Sequence, residues 1–169
     1  MEHFDGRIAI ITGGGDGMGR ELAVQLAAEG AHVAICDLSE PNMAETLRRC
    51  RQAAPAGAGR TYVSGVCDVT DEASLERFRA TVADAMGTDV AHLLCNNAGI
   101  GGGGSFLRAS RPEWERTFDV CWRGVYLGCR VFLPALVRAD AGHVVNTASV
   151  NGFWASLGPQ RAHTAYAAA

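Results

Sequence analysis

None of the 169 residues is lysine, and all fifteen basic side chains are arginine. This excludes a phosphate-transferring loop of the Gly-Lys-Ser or Gly-Lys-Thr kind, which needs a lysine on the phosphates. An excess of either charge is also lacking. Fifteen basic and eighteen acidic residues give a net charge of −3, which makes no electrostatic case for nucleic acid or an acidic membrane as a partner. No apolar run reaches the ~20 residues of a membrane span. The acidic start Met1-Glu2-His3-Phe4-Asp5 runs directly into a strand-like segment and is no signal peptide, so the expected location is the cytoplasm. The six cysteines at 36, 50, 67, 95, 121 and 129 include no C-x-x-C pair. They sit mostly in apolar segments and read as reduced, buried small hydrophobes. Neither they nor the scattered histidines show ligand spacing, so no metal is expected.

Glycine, in contrast, is well supplied and well placed. Thr12 to Gly19 read Thr-Gly-Gly-Gly-Asp-Gly-Met-Gly, directly after the apolar run Arg7-Ile8-Ala9-Ile10-Ile11. A helical pattern follows, and Asp37 closes the next apolar run. Strand, glycine turn, helix, strand and acid is the layout that binds a dinucleotide. Gly13, Gly17 and Gly19 allow a tight turn and close backbone approach to a pyrophosphate, with Gly15, Asp16 and Met18 completing the turn. The free N–H groups and positive dipole end of the helix hold the anion. Asp37 accepts hydrogen bonds from a ribose diol. A glycine-rich turn alone is weak evidence; the strand, helix and acid around it carry the reading.

Five short apolar segments rich in valine or isoleucine, at 7–12, 32–36, 61–66, 91–95 and 143–148, read as strands covered on both faces. Helical stretches lie at 17–29, 41–53, 71–86 and 111–139. Ser39 with Pro41 opens the second, and Ser110 with Pro112 and Glu113 gives the fourth a capping-box start. Pro134 is expected to kink or shorten that helix. Strict alternation of strand and helix predicts a Rossmann-like, doubly wound parallel sheet in a single domain, 1–169.

The glycine spacing, a three-residue gap and then a one-residue gap, reverses the ordinary Rossmann order. With Thr12 it resembles the short-chain dehydrogenase/reductase family. Further motifs extend the resemblance along the chain: Cys67-Asp68-Val69 after the third apolar run, Asn96-Asn97-Ala98-Gly99 after the fourth, Val145-Asn146-Thr147-Ala148-Ser149 ending the fifth, and Tyr166 beyond it. The resemblance implies strand order 3-2-1-4-5. It also implies cofactor contacts from Leu38, Cys67, Asp68, Val69, Asn97, Ala98, Gly99 and Tyr166, besides the glycine turn and Asp37. The implied activity is hydride transfer between a nicotinamide and a small alcohol or ketone, in a homo-dimer or homo-tetramer. Tyr166 would exchange the proton and Ser149 would orient the reacting oxygen. NAD is favoured over NADP, because a carboxylate about 4 Å from a 2′-phosphate repels it by roughly 4 kcal/mol at an effective dielectric near 20. Neither Asp16 nor Leu38, where NADP-using relatives often carry a base, is basic.

The sequence departs from the family pattern in two places. Cys121 stands where the family has an asparagine, and a thiol is a weak hydrogen-bonding group. Tyr166 is followed by three alanines, with no position for the lysine of Tyr-x-x-x-Lys. A tyrosine hydroxyl in water titrates near pH 10, so only about one in a thousand is phenolate at pH 7. The resemblance therefore reads as the amino-terminal part of a dehydrogenase that lacks the family's last strands and helices and, as 169 residues, is expected to be inactive. A catalytically silent nucleotide-binding or scaffold protein is the alternative. A serine hydrolase is disfavoured, because Ser149 is in no Gly-x-Ser-x-Gly elbow. Phe153, Trp154 and Leu157 suggest an apolar lining or core, and the substrate itself is not legible.

Overall fold

The computed structural model describes residues 3–57, 59–154 and 163–169. Its strands are β1 (Ile8–Thr12), β2 (His32–Asp37), β3 (Tyr62–Val66), β4 (Leu93–Asn96) and β5 (His143–Asn146). The helices are α1 (Gly17–Ala28), α2 (Glu40–Ala53), α3 (Glu72–Met86), α4 (Arg111–Phe118), α5 (Gly124–Val137) and a short α6 (Thr164–Ala168). All strand pairs are parallel and the order is β3-β2-β1-β4-β5, as expected.

Alternation along β1 assigns its residues to two cores. Ala9 and Ile11 join Ala23, Leu26, Met43 and Leu47 on the α1/α2 side, and Ile10 joins Leu75, Phe78, Leu127 and Phe132 on the α3/α5 side. Phe78 and Phe132 meet edge to face at 6.1 Å. Each fully buried aliphatic or aromatic side chain contributes roughly 1.5–3 kcal/mol of transfer free energy. The strands nearest the middle are therefore the rigid platform on which the loops above them are built. Four of the six cysteines are buried and all six are free thiols. Burial pushes Cys50 and Cys95 up to about 11, which keeps them protonated and inert.

Several expectations are corrected. β5 is exposed along its whole length rather than covered on both faces, because it ends the sheet and α5 alone among the described helices packs appreciably on it. The stretch read as one α-helix over 111–139 is α4 and α5 joined by a π-helical turn, Asp119–Arg123. Pro134 lies inside α5, which continues to Val137; the carbonyl that the proline leaves unpaired belongs to Arg130, on the exposed side. By length and composition, the 27 residues Arg111–Val137 are also apolar enough to cross a membrane, where no such segment was expected. Here Leu127, Val131, Phe132, Ala135 and Leu136 pack that helix into the core. Ser110 Oγ accepts from Glu113 N as its cap, whereas the Ser39 side chain makes no capping bond at α2.

Two histidines stitch the lower end of the sheet. His32 Nδ1 accepts from Thr61 N at 3.0 Å, and His92 Nδ1 accepts from Ile8 N at 3.1 Å. Only a neutral imidazole nitrogen can accept. Burial lowers both pKa values below 6.5; Arg60 lowers His32 further and Arg7 does the same at His92, while Asp5 and Asp140 oppose. A histidine depressed in the folded state contributes stability that is complete above its unfolded value near 6.5 and is lost as pH falls through the lower folded value. The urea midpoint is therefore expected to drop between pH 7.5 and pH 5. The His32→Gln/His92→Gln double variant should lose part of that slope; an equal slope would contradict the assignment.

Candidate active site

The chain leaves β1 toward α1 and leaves β4 in the opposite direction, so a crevice forms at the carboxyl ends of these neighbouring strands. Thr12, at the end of β1, is buried, and its Oγ1 accepts from both Asn97 N and Ala98 N at 3.0 Å. In return Asn97 Nδ2 donates to the Thr12 and Gly13 carbonyls at 3.1 and 3.2 Å. Thr147 Oγ1 donates to Asn97 Oδ1 from beyond β5. These bonds lock three strand ends into one floor. A Cβ at Gly19 would lie 2.1 Å from Gly13 O and 2.6 Å from Asn97 Nδ2. The first turn of α1 can press against the floor only as glycine.

A groove of about 360 Å³ runs over this floor, lined by Gly13, Asp16, Gly17, Met18, Asp37, Asn97, Ala98 and Gly99. Most of the nucleotide contacts predicted from sequence thus converge. Asp16 is the N-cap of α1, its Oδ1 accepting from Gly17 N at 2.7 Å. Asp37 Oδ2 accepts from Gly15 N at 3.0 Å and Oδ1 from Ser39 N at 3.1 Å. A carboxylate oxygen has two acceptor sites, so each retains one that a ribose diol can use. Leu38 and Asp68 are exposed outside the groove lining, and Asp68 Oδ1 accepts from Thr70 N and Oγ1. Cys67 and Val69 face the α3/α5 core. Thr12 was missed as a site residue, although its place immediately before the glycines was the available signal.

A second, larger cavity of about 880 Å³ adjoins the groove and shares Met18, Asn97, Ala98 and Gly99 with it; Cys121, Ser149, Phe153 and Tyr166 also line it. Ser149 follows β5 and caps a short 3-10 turn, Val150–Gly152, its Oγ accepting from Asn151 N at 3.2 Å. The turn-capping role and the cavity position therefore coexist. Tyr166 comes from α6, which is held by Thr164 Oγ1 on the Gly103 and Gly104 carbonyls and by Trp114 Nε1 on Thr164 Oγ1. Among the described residues no hydrogen bond joins Ser149 to Tyr166. Cys121 sits in the π-helical turn with its Sγ donating to Ile100 O at 3.3 Å, which ties that turn to the loop after β4. Phe153 and Trp154 are 86% and 77% exposed and hence not core; Leu157 lies outside the described residues.

A glycine turn at the switch point of a parallel sheet, with an acid at the end of β2, defines a dinucleotide-binding α/β protein. The short chain dehydrogenase family matches residues 7–169, and the chain belongs to that family. A short chain dehydrogenase/reductase from Burkholderia phymatum in complex with NAD superposes with a TM-score of 0.85 at 37% identity, over 99% of this chain and 56% of that one. Levodione reductase of Leifsonia aquatica is 35% identical over 150 residues, 88% of this chain and 54% of its own length. The crystal structure of levodione reductase gives a TM-score of 0.86 at 34% identity, over 98% and 61% of the two chains. A metagenomic short-chain oxidoreductase in complex with NADP superposes at 0.82 with 28% identity, over 98% and 70%. The chain spans 26% to 58% of the length of the curated relatives compared with it. The relatives are oxidoreductases, and their structures support a nicotinamide cofactor.

Proposed function

We propose that the protein is an NAD-dependent oxidoreductase that interconverts an alcohol and a carbonyl group on a small molecule, acting as one dinucleotide-binding domain. The observation that carries the cofactor choice is the Asp37 carboxylate, held at the end of β2 by Gly15 N and Ser39 N and facing the groove. Gly13, Gly17, Met18 and the first turn of α1 would hold the pyrophosphate, and Asp37 the adenine-side ribose. Leu38 and Asp68, both exposed, and the backbone of Cys67 and Val69, whose side chains face the core, would border the adenine, while Asn97, Ala98, Gly99 and Tyr166 would border the nicotinamide half. When bound, the nicotinamide supplies or accepts the hydride. Tyr166 exchanges a proton with the substrate oxygen, and the Ser149 hydroxyl donates a hydrogen bond to that same oxygen, steadying its developing charge. Levodione reductase, whose name marks a ketone as its substrate, supports this substrate class.

The accompanying expectations are a homo-oligomer and a cytoplasmic location. The π-helical turn and α5 expose Trp122, Tyr126, Leu133 and Val137, and exposed apolar surface of this kind favours burial against a second copy. Six free thiols suit a reducing compartment.

A second reading, nucleotide binding without turnover, is favoured by Cys121, a weak hydrogen-bonding thiol where the family has an asparagine, and by the lack, among the described residues, of a hydrogen bond between Ser149 and Tyr166. Initial rates with NAD, NADH, NADP and NADPH across a panel of secondary alcohols and ketones test both readings. NAD-linked turnover is expected of a form that carries the family's remaining strands and helices, and little or none of the 169 residues alone. Tight NAD binding by that form with no turnover on any substrate would support the second reading.

A further inference from the structure

We propose that Arg20 is a positioning residue that sets the cofactor preference through Asp37 without touching the nucleotide. This inference rests on the NAD reading above and deepens it. Sequence gives no hint of the role, since an arginine in the first turns of a helix ordinarily points to water. Here the guanidinium is mostly buried and each of its nitrogens is engaged. Its side chain is 17% exposed. Nη2 donates to the Gly15 carbonyl, Nε donates to Thr46 Oγ1 on α2 at 3.0 Å, and Nη1 lies 3.4 Å from Asp16 Oδ1. Thr46 is fully buried and its hydroxyl also reaches Gly15 O, at 3.4 Å.

Gly15 is therefore clamped from both sides: Arg20 holds its carbonyl, and Asp37 accepts from its N–H. A Cβ at Gly15 would lie 2.7 Å from Asp37 Cγ, so turn and carboxylate are already in close contact. The position of one fixes the position of the other. A charge-assisted hydrogen bond from a planar, forked donor is stronger and more directional than one from a neutral group. Releasing the Gly15 carbonyl lets the glycine turn shift, and the Asp37 carboxylate then loses the station from which it receives a ribose diol and repels a 2′-phosphate. The guanidinium is also unavailable to a 2′-phosphate while these bonds hold, which explains how a cation can sit beside a site that rejects an anion.

The test measures equilibrium affinity for NAD and for NADP in the full chain carrying Arg20→Met, which keeps the stem and removes the fork, and Arg20→Lys, which keeps the charge but cannot reach Thr46 and Gly15 together. Arg20→Met should weaken NAD about tenfold, the loss of one charge-assisted hydrogen bond, and bring the NAD:NADP affinity ratio toward one. Arg20→Lys, the variant less disruptive to folding, should fall between wild type and Arg20→Met. A merely structural role would lower the thermal midpoint and weaken both nucleotides alike. Folded variants whose NAD:NADP ratio equals that of the wild type overturn the inference and leave the NAD reading standing. A wild-type protein that binds neither nucleotide overturns both.

Discussion

In a form extended by the family's lysine and remaining strands and helices, replacing Tyr166 with phenylalanine is expected to reduce nicotinamide-linked turnover by a factor of about 10² to 10⁴, the usual contribution of a positioned general acid or base. The substitution removes one hydroxyl and keeps the ring. The packing that seats α6, Trp114 on Thr164 and Thr164 on the Gly103 and Gly104 carbonyls, lies outside the change. NAD affinity should therefore stay within about twofold, well under the tenfold that corresponds to 1.4 kcal/mol. The deficit should appear in kcat rather than in the affinity for nucleotide. Rates measured on several alcohols and ketones decide the matter. Near-normal turnover of Tyr166→Phe would remove Tyr166 from the proton-exchanging role.

The second large effect is expected at Asp37. Asp37→Ser removes the charge that opposes a 2′-phosphate, a repulsion of roughly 4 kcal/mol at 4 Å and an effective dielectric near 20, before any relaxation. It also removes the acceptors of Gly15 N and Ser39 N. NAD should weaken about tenfold and NADP should strengthen, so that the preference narrows by two orders of magnitude or more on the tenfold-per-1.4 kcal/mol scale. Parallel titrations with the two nucleotides measure this directly. An unchanged ratio in Asp37→Ser would assign the discrimination to another group.

The parts of this site that are legible in sequence are those built from backbone constraints. Gly13 and Gly19 mark the turn because a Cβ at either would collide with backbone, Gly17 because its φ is +51°, and Asp37 stands out as an acid ending an apolar strand. Strict alternation of strand and helix predicts the parallel sheet, and the family resemblance implies its order. Side-chain reciprocity is what a linear reading cannot see. The Asn97 amide turns back onto Thr12 and Gly13 rather than outward, and Arg20 looks like any solvated helix residue until Thr46 and Gly15 are brought beside it.

The π-helical turn escaped for a related reason. Val120, Cys121 and Trp122 fit a helical pattern equally well with or without one widened turn. Aromatic stacking of Trp114, Phe118, Trp122 and Tyr126, with ring centroids 5.5 to 6.1 Å apart, runs straight through it. Turns of this kind recur at functional sites, and this one carries Cys121 to the wall of the larger cavity. The exposure of β5 was likewise invisible, since Val144 and Val145 read as interior strand residues whatever lies beside them.

The central claim is that the groove above β1, β2 and β4 receives NAD and discriminates against NADP. Isothermal titration of the unmodified protein with each nucleotide tests it most directly. Saturable binding of one NAD per chain is expected, with NADP bound at least about tenfold more weakly, a difference of 1.4 kcal/mol or more. Equal affinities, a preference for NADP, or no binding of either nucleotide would contradict it.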